Sequence, residues 1–175
     1  MEISETDWAT ARSVFTRAVQ TSLHCSIATV NPDGTPHVTP IGSVLLGDRG
    51  TAMYFDVFNR RLARNIAHDP RVTVLAVDSG RLMWARSLLR GSFVSPPGMR
   101  LTGVAGPPRD STPAEVHRLH RRIGPALRTA GGRLMWRSLP RVREITVERV
   151  EMLRIGPMTA AVNRTTPRPT NLTPE

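Results

Sequence analysis

The stretch Ser26-Ile-Ala-Thr-Val-Asn-Pro-Asp-Gly-Thr-Pro-His-Val-Thr-Pro-Ile41 decides the fold. Apolar and polar residues alternate from Cys25 to Val30, the period of a strand with one face buried. Asn31-Pro-Asp-Gly34 is a turn, and Asp-Gly between two alternating runs marks a hairpin. The partner strand runs from Thr35 to Leu46 and carries Pro36 and Pro40, which cannot donate to a ladder. That strand is therefore expected at an edge or bulged, with backbone free to serve a ligand.

Downstream, Gly47-Asp-Arg-Gly50 turns the chain into a third strand, Thr51 to Val57. Asn59 to Pro70 then reads as a short helix: Asn59 caps it, Pro70 stops it, and Leu62 and Ile66 share a face. Arg60, Arg61 and Arg64 crowd its first turns, where like charges repel each other and oppose the positive end of the helix dipole. A bound anion would relieve both penalties; a solvated basic face is the alternative. Arg71 to Val77 is a central strand, Met99 to Gly106 another, and Arg143 to Ile155 the last, with a change of parity predicting a bulge near Arg149. Helices are expected over 6–21, around Trp8, Ala11, Phe15, Ala18 and Val19, and from Thr112-Pro-Ala-Glu115 onward, with Arg118, Arg121 and Arg122 exposed. Arg81 to Arg90 is a basic amphipathic segment, and its opening GRLMW string (80–84) recurs at 132–136. Two copies of five residues do not establish a repeat. The organisation read from this is one domain over 1–156 and a Pro/Thr-rich tail over 157–175.

Composition narrows the function. With 39% hydrophobic and 22% charged residues and no long apolar run, the chain reads as a soluble globular protein. No membrane partner is expected, because the basic segments are short. The lone Cys25 excludes an internal disulfide, and no signal peptide is visible, so a cytoplasmic location is expected. The net charge is +10, but all 24 basic residues are arginine, scattered along the chain, and only 5% of residues are aromatic. Nucleic acid is therefore a minor alternative. His117 and His120 lack a Cys or carboxylate partner, so no metal site is expected.

The hairpin, the strand ending at Phe55, and Arg61-x-x-Arg64-Asn65-Ile66 followed by Asp69-Pro70-Arg71-Val72 together resemble the pyridoxamine 5'-phosphate oxidase-like split β-barrel flavoproteins. The resemblance covers about residues 22–78. It implies a mainly β fold with peripheral helices, a six-stranded antiparallel split barrel, and a homodimer with cofactor sites between the subunits. By the family motif, Arg61, Arg64 and Asn65, with Arg60 beside them, would hold a cofactor phosphate. His37, Val38, Thr39 and Pro40, with Phe55, Asp56 and Val57, would line the ring. Leu62 stands where many relatives carry lysine. FMN is the implied cofactor, with the deazaflavin coenzyme F420 or, less commonly, haem as alternatives. No nucleophilic or acid–base constellation is visible, as expected where a cofactor carries the chemistry. The expected function is an oxidoreductase moving hydride between that cofactor and a small organic substrate, with His37 a candidate proton donor. A non-catalytic flavin or haem binder is the alternative. Vitamin B6 oxidation is not expected, since 157–175 holds no match to the oxidase's substrate residues.

Overall fold

The computed structural model of the chain describes residues 3–162. The chain begins with α1 (Glu5–Ser22), whose Ser4 side chain accepts the Asp7 N–H as an N-cap and whose Trp8, Ala11, Val14, Phe15 and Ala18 are buried. There follow β1 (Cys25–Val30), β2 (Pro36–Ile41), β3 (Leu45–Leu46), β4 (Thr51–Phe55), α2 (Arg60–His68), β5 (Arg71–Val77), α3 (Arg81–Arg90), β6 (Gly98–Asp110), α4 (Pro113–Ile123), α5 (Ala130–Trp136) and β7 (Arg141–Met152). The expected hairpin forms, with Val30 opposite Pro36 and Ser26 opposite Pro40 and Gly34 supplying the positive φ of the turn. β2 pairs only with β1, so its prolines do sit on an edge strand.

All strand pairs are antiparallel, in the order β2-β1-β5-β6-β7-β4-β3. The two ends of that order, β2 and β3, are joined by Gly42–Val44 alone. Such a link spans at most about 14 Å, whereas the edges of a flat seven-stranded sheet would lie about 29 Å apart. The sheet must therefore curl until its edges approach, which is the geometry of a split barrel. The sequence reading has six strands; the sheet has seven, because the run from Thr35 to Leu46 breaks at Gly42. The cause lies on α4: Arg122 donates to the Gly42 and Val44 carbonyls, and Arg118 to that of Leu46. Arg122 is thus half-buried, not exposed as its helical position suggested.

Alternation along β4 divides the core in two. Ala52 and Tyr54 join Ile27, Leu62, Ile66, Val74, Leu101 and Ile145 under α1 and α2. Met53 and Phe55 join Leu119, Leu139 and Val142 under α4. The expected bulge is present: Thr102 faces Arg149 and Gly103 faces Val147, leaving Glu148 extra. Gly103 is required there, since a Cβ would strike the Thr146 carbonyl. The two GRLMW strings occupy unlike places, one opening α3 after Gly80, the other closing α5. At the C-terminal side, Gly156–Thr159 forms a 3-10 turn whose Met158 carbonyl accepts the Phe93 N–H. Packing thus continues past 156, and the rest of the predicted tail, 163–175, lies outside the described residues.

Candidate functional site

α2 ends as its sequence predicts: Asp69 is extended and its N–H closes on Asn65. Its beginning differs. Asn59 occupies the N-cap position but its side chain makes no cap bond; its Nδ2 donates instead to the Val57 carbonyl at 2.9 Å. The first-turn N–H groups of α2 therefore have no side-chain acceptor, and no acidic residue stands in that turn. Arg60, Arg61 and Arg64 are all exposed. Among the described residues Arg60 and Arg64 form no hydrogen bond or ion pair. Arg61 faces Asp33 in the hairpin turn, whose carboxyl is held below its usual range chiefly by the Thr35 hydroxyl and amide, with a smaller pull from Arg61.

Beside this helix start lies a cleft of about 150 Å³. Its floor is the end of β2 and the link, Pro40 to Ser43; one wall is Phe55, Val57, Phe58 and Asn59, and the other is Met135, Trp136 and Leu139. Ser43 latches the link to β4, since its Oγ accepts the Phe55 N–H at 3.2 Å and donates to the Phe55 carbonyl at 3.3 Å. Phe58 is 78% exposed and holds φ at +65°, a left-handed conformation costly for an aromatic residue. The opposite wall is fixed by His120, whose Nε2 lies 2.8 Å from the Trp136 carbonyl and so donates to it. Gly132 allows α5 to lie against Ala126, where a Cβ would strike the carbonyl. Asn59 belongs both to the cleft and to the start of α2, so aromatic lips and uncapped amides meet at one residue.

Of the residues expected to line a ring, Pro40, Phe55 and Val57 reach the cleft. His37, Val38, Thr39 and Asp56 do not. His37 and Thr39 are half-buried and opposite Thr29 and Ile27, with Thr39 Oγ1 3.1 Å from His37 Nε2, while Val38 is exposed. Asp56 turns inward to Arg143, whose Nε donates at 2.8 Å and whose Nη1 donates to the Gly106 carbonyl. The buried Tyr54 hydroxyl lacks a partner among the described residues, and burial, then Asp56, pushes its pKa up. Asn65 is fully buried, its Nδ2 donating to Thr29 Oγ1 at 3.1 Å and Asn31 Oδ1 at 2.9 Å. Leu62 is equally buried, so that position offers no group to a ligand. Burial pushes the Cys25 thiol up to about 12, which makes it inert as a nucleophile. No group of His, Cys, Asp and Glu side chains able to hold a metal occurs among the described residues. The sequence reading missed Phe58, Met135 and Trp136; Phe58, next to the helix start, was the one with a local signal.

An antiparallel sheet whose edge strands are drawn together by a three-residue link belongs to the split-barrel class of folds. The family described as pyridoxamine 5'-phosphate oxidase matches residues 14–154 of this chain, and the chain belongs to it. An FMN-binding protein from Syntrophomonas wolfei superposes with a TM-score of 0.59 at 8% identity, covering 86% of this chain and 90% of that one. An F420 reductase gives 0.54 at 20% identity, covering 80% and 94%. The haem storage protein HutZ of Vibrio cholerae gives 0.53 at 15% identity, covering 81% and 94%. At such identities the likeness is one of fold. No curated protein matches the chain significantly.

Proposed function

We propose that this chain is a flavin-type oxidoreductase that binds FMN or coenzyme F420 and transfers hydride between it and a small organic molecule. The observation that carries this reading is the junction at Asn59 of an aromatic-lipped cleft with an uncapped, arginine-rich helix start. The donor set fits such a cofactor. Arg60 and Arg64, without carboxylate partners, would hold its phosphate together with the α2 amides. Phe58 and Trp136 would cover the ring and exclude water. The Val57 N–H is taken by the Phe55 carbonyl at 3.1 Å and the Phe55 N–H by Ser43, so the backbone donors on this wall left for a ligand are those of Phe58 and Asn59. The bound cofactor supplies the hydride chemistry. Asp56–Arg143 and the Ser43 latch are the supports that keep this wall in place.

The cleft of one protomer is smaller than the roughly 300–1,000 Å³ of ordinary ligand pockets, which supports a site completed by a second copy in a homodimer. No side chain lining the cleft titrates near neutrality, and this favours, as second reading, a protein that holds a flavin or haem without turnover. Reconstitution separates the two. A preparation whose reduced cofactor is reoxidised by small quinones or nitro compounds faster than free cofactor supports the enzyme. A Soret band, or a bound flavin unreactive to every acceptor, supports the binder.

A further inference from the structure

Helix α3 turns its leucines outward. With 100° per residue, Leu82, Ala85, Arg86, Leu89 and Arg90 share one face. The inward face is already committed: Ser87 is buried, Trp84 Nε1 donates to the Asp78 carbonyl at 2.7 Å, and the Trp84 ring meets Phe93 edge-on at 5.2 Å. The helix therefore cannot rotate to hide Leu82 and Leu89, which are 63% and 89% exposed, nor Leu88 at 65%. Val94, just beyond the Gly91 cap, adds a fourth apolar side chain at 77%. Arg81, Arg86 and Arg90 flank this stripe and are exposed. No carboxylate occurs from Ser79 to Val94. The nearest, Asp78, is buried and tied to Arg17, Thr21 and the Gly80 N–H.

We propose that α3 is a docking surface for an anionic lipid bilayer, lying in the interface with its leucines in the acyl boundary and its arginines on lipid phosphates. The charge pattern selects this occupant. A second copy on the same face would bring two sets of three arginines together, and no residue from Ser79 to Val94 supplies a carboxylate between them. A protein groove would have to match a convex apolar stripe, whereas a fluid lipid surface needs no carved complement. At ten residues α3 lies on a membrane and does not span it, and no described helix is long and apolar enough to cross one. This assignment stands apart from the cofactor reading and departs from the sequence expectation of no membrane partner.

The test is co-sedimentation of the full chain with vesicles of phosphatidylcholine alone or mixed with phosphatidylglycerol, at about 0.1 M salt where long-range attraction is screened. Binding is expected at least tenfold stronger to the anionic vesicles. It should be lost in Leu82→Gln/Leu89→Gln, which keeps the charge, and in Arg86→Gln/Arg90→Gln, with the melting temperature and oligomeric state of both variants unchanged. Absence of binding to anionic vesicles overturns the proposal. So does full binding by the leucine variant, which would reveal only the attraction of a +10 protein. A leucine variant that falls to a smaller oligomer overturns it too, because the face would then be a contact between copies.

Discussion

Asn65 holds α2 to the hairpin from a position with no solvent exposure, its Nδ2 donating to Thr29 and Asn31 while its Oδ1 is buried with no partner among the described residues. Asn65→Ala should therefore cost about 2 kcal/mol, the usual price of leaving buried partners unsatisfied. Urea unfolding reads that loss, and a variant as stable as the parent would contradict the role. The family motif groups Asn65 with the arginines of a phosphate site, yet Leu62, Asn65 and Ile66 lie three and four apart on the buried stripe. Spacing alone does not place Asn65, because it lies four residues from Arg61 as well as three from Leu62; its bonds to Thr29 and Asn31 of the hairpin are what turn it inward. The inward turn of Asp56 was not legible, because its partner Arg143 arrives from a strand 87 residues later.

At the scale of elements, the hairpin, the bulge and the Thr112–Glu115 capping box could all be read locally, since each depends on a turn residue, a parity change or a cap. The break between β2 and β3 could not, because the arginines that hold the Gly42 and Val44 carbonyls belong to α4. Nor could the orientation of α3: amphipathic spacing gives a period and leaves open which face is covered. α4 also yields a pH prediction. Its Glu115 accepts from Arg109, which also bridges Glu144, and this holds the Glu115 carboxyl down at about 2. A depressed folded-state value stabilises the protein above the unfolded carboxyl's range and is lost as pH falls from about 4.5 towards 2. Because Arg109 remains 38% exposed, solvent leaves about 1 kcal/mol of this. The stability difference between the parent and Glu115→Gln should be about 1 kcal/mol at pH 6 and vanish near pH 2. A difference that stays constant with pH, followed by denaturant unfolding, would refute the pairing.

For the whole molecule, the curled sheet places the end of β2, the end of β4 and α5 around one cleft, with the start of α2 at its rim. Membership of the pyridoxamine 5'-phosphate oxidase family fits that arrangement, and the excess of arginine gives the surface a field that draws anions. A site completed by a second copy predicts a dimer by analytical ultracentrifugation at micromolar concentration. A strict monomer that still binds cofactor with full affinity would remove the shared-site proposal. Whether a flavin-type cofactor places its phosphate on α2 is read by titrating the parent and Arg64→Ala with FMN and with coenzyme F420, followed by cofactor fluorescence. With the phosphate held there, the parent binds one of them at micromolar or lower concentration. Arg64→Ala then binds that cofactor about 10- to 100-fold more weakly, the loss of one charge-assisted contact, at an unchanged melting temperature. Failure of both cofactors to bind, or equal affinity in the variant, would contradict that placement.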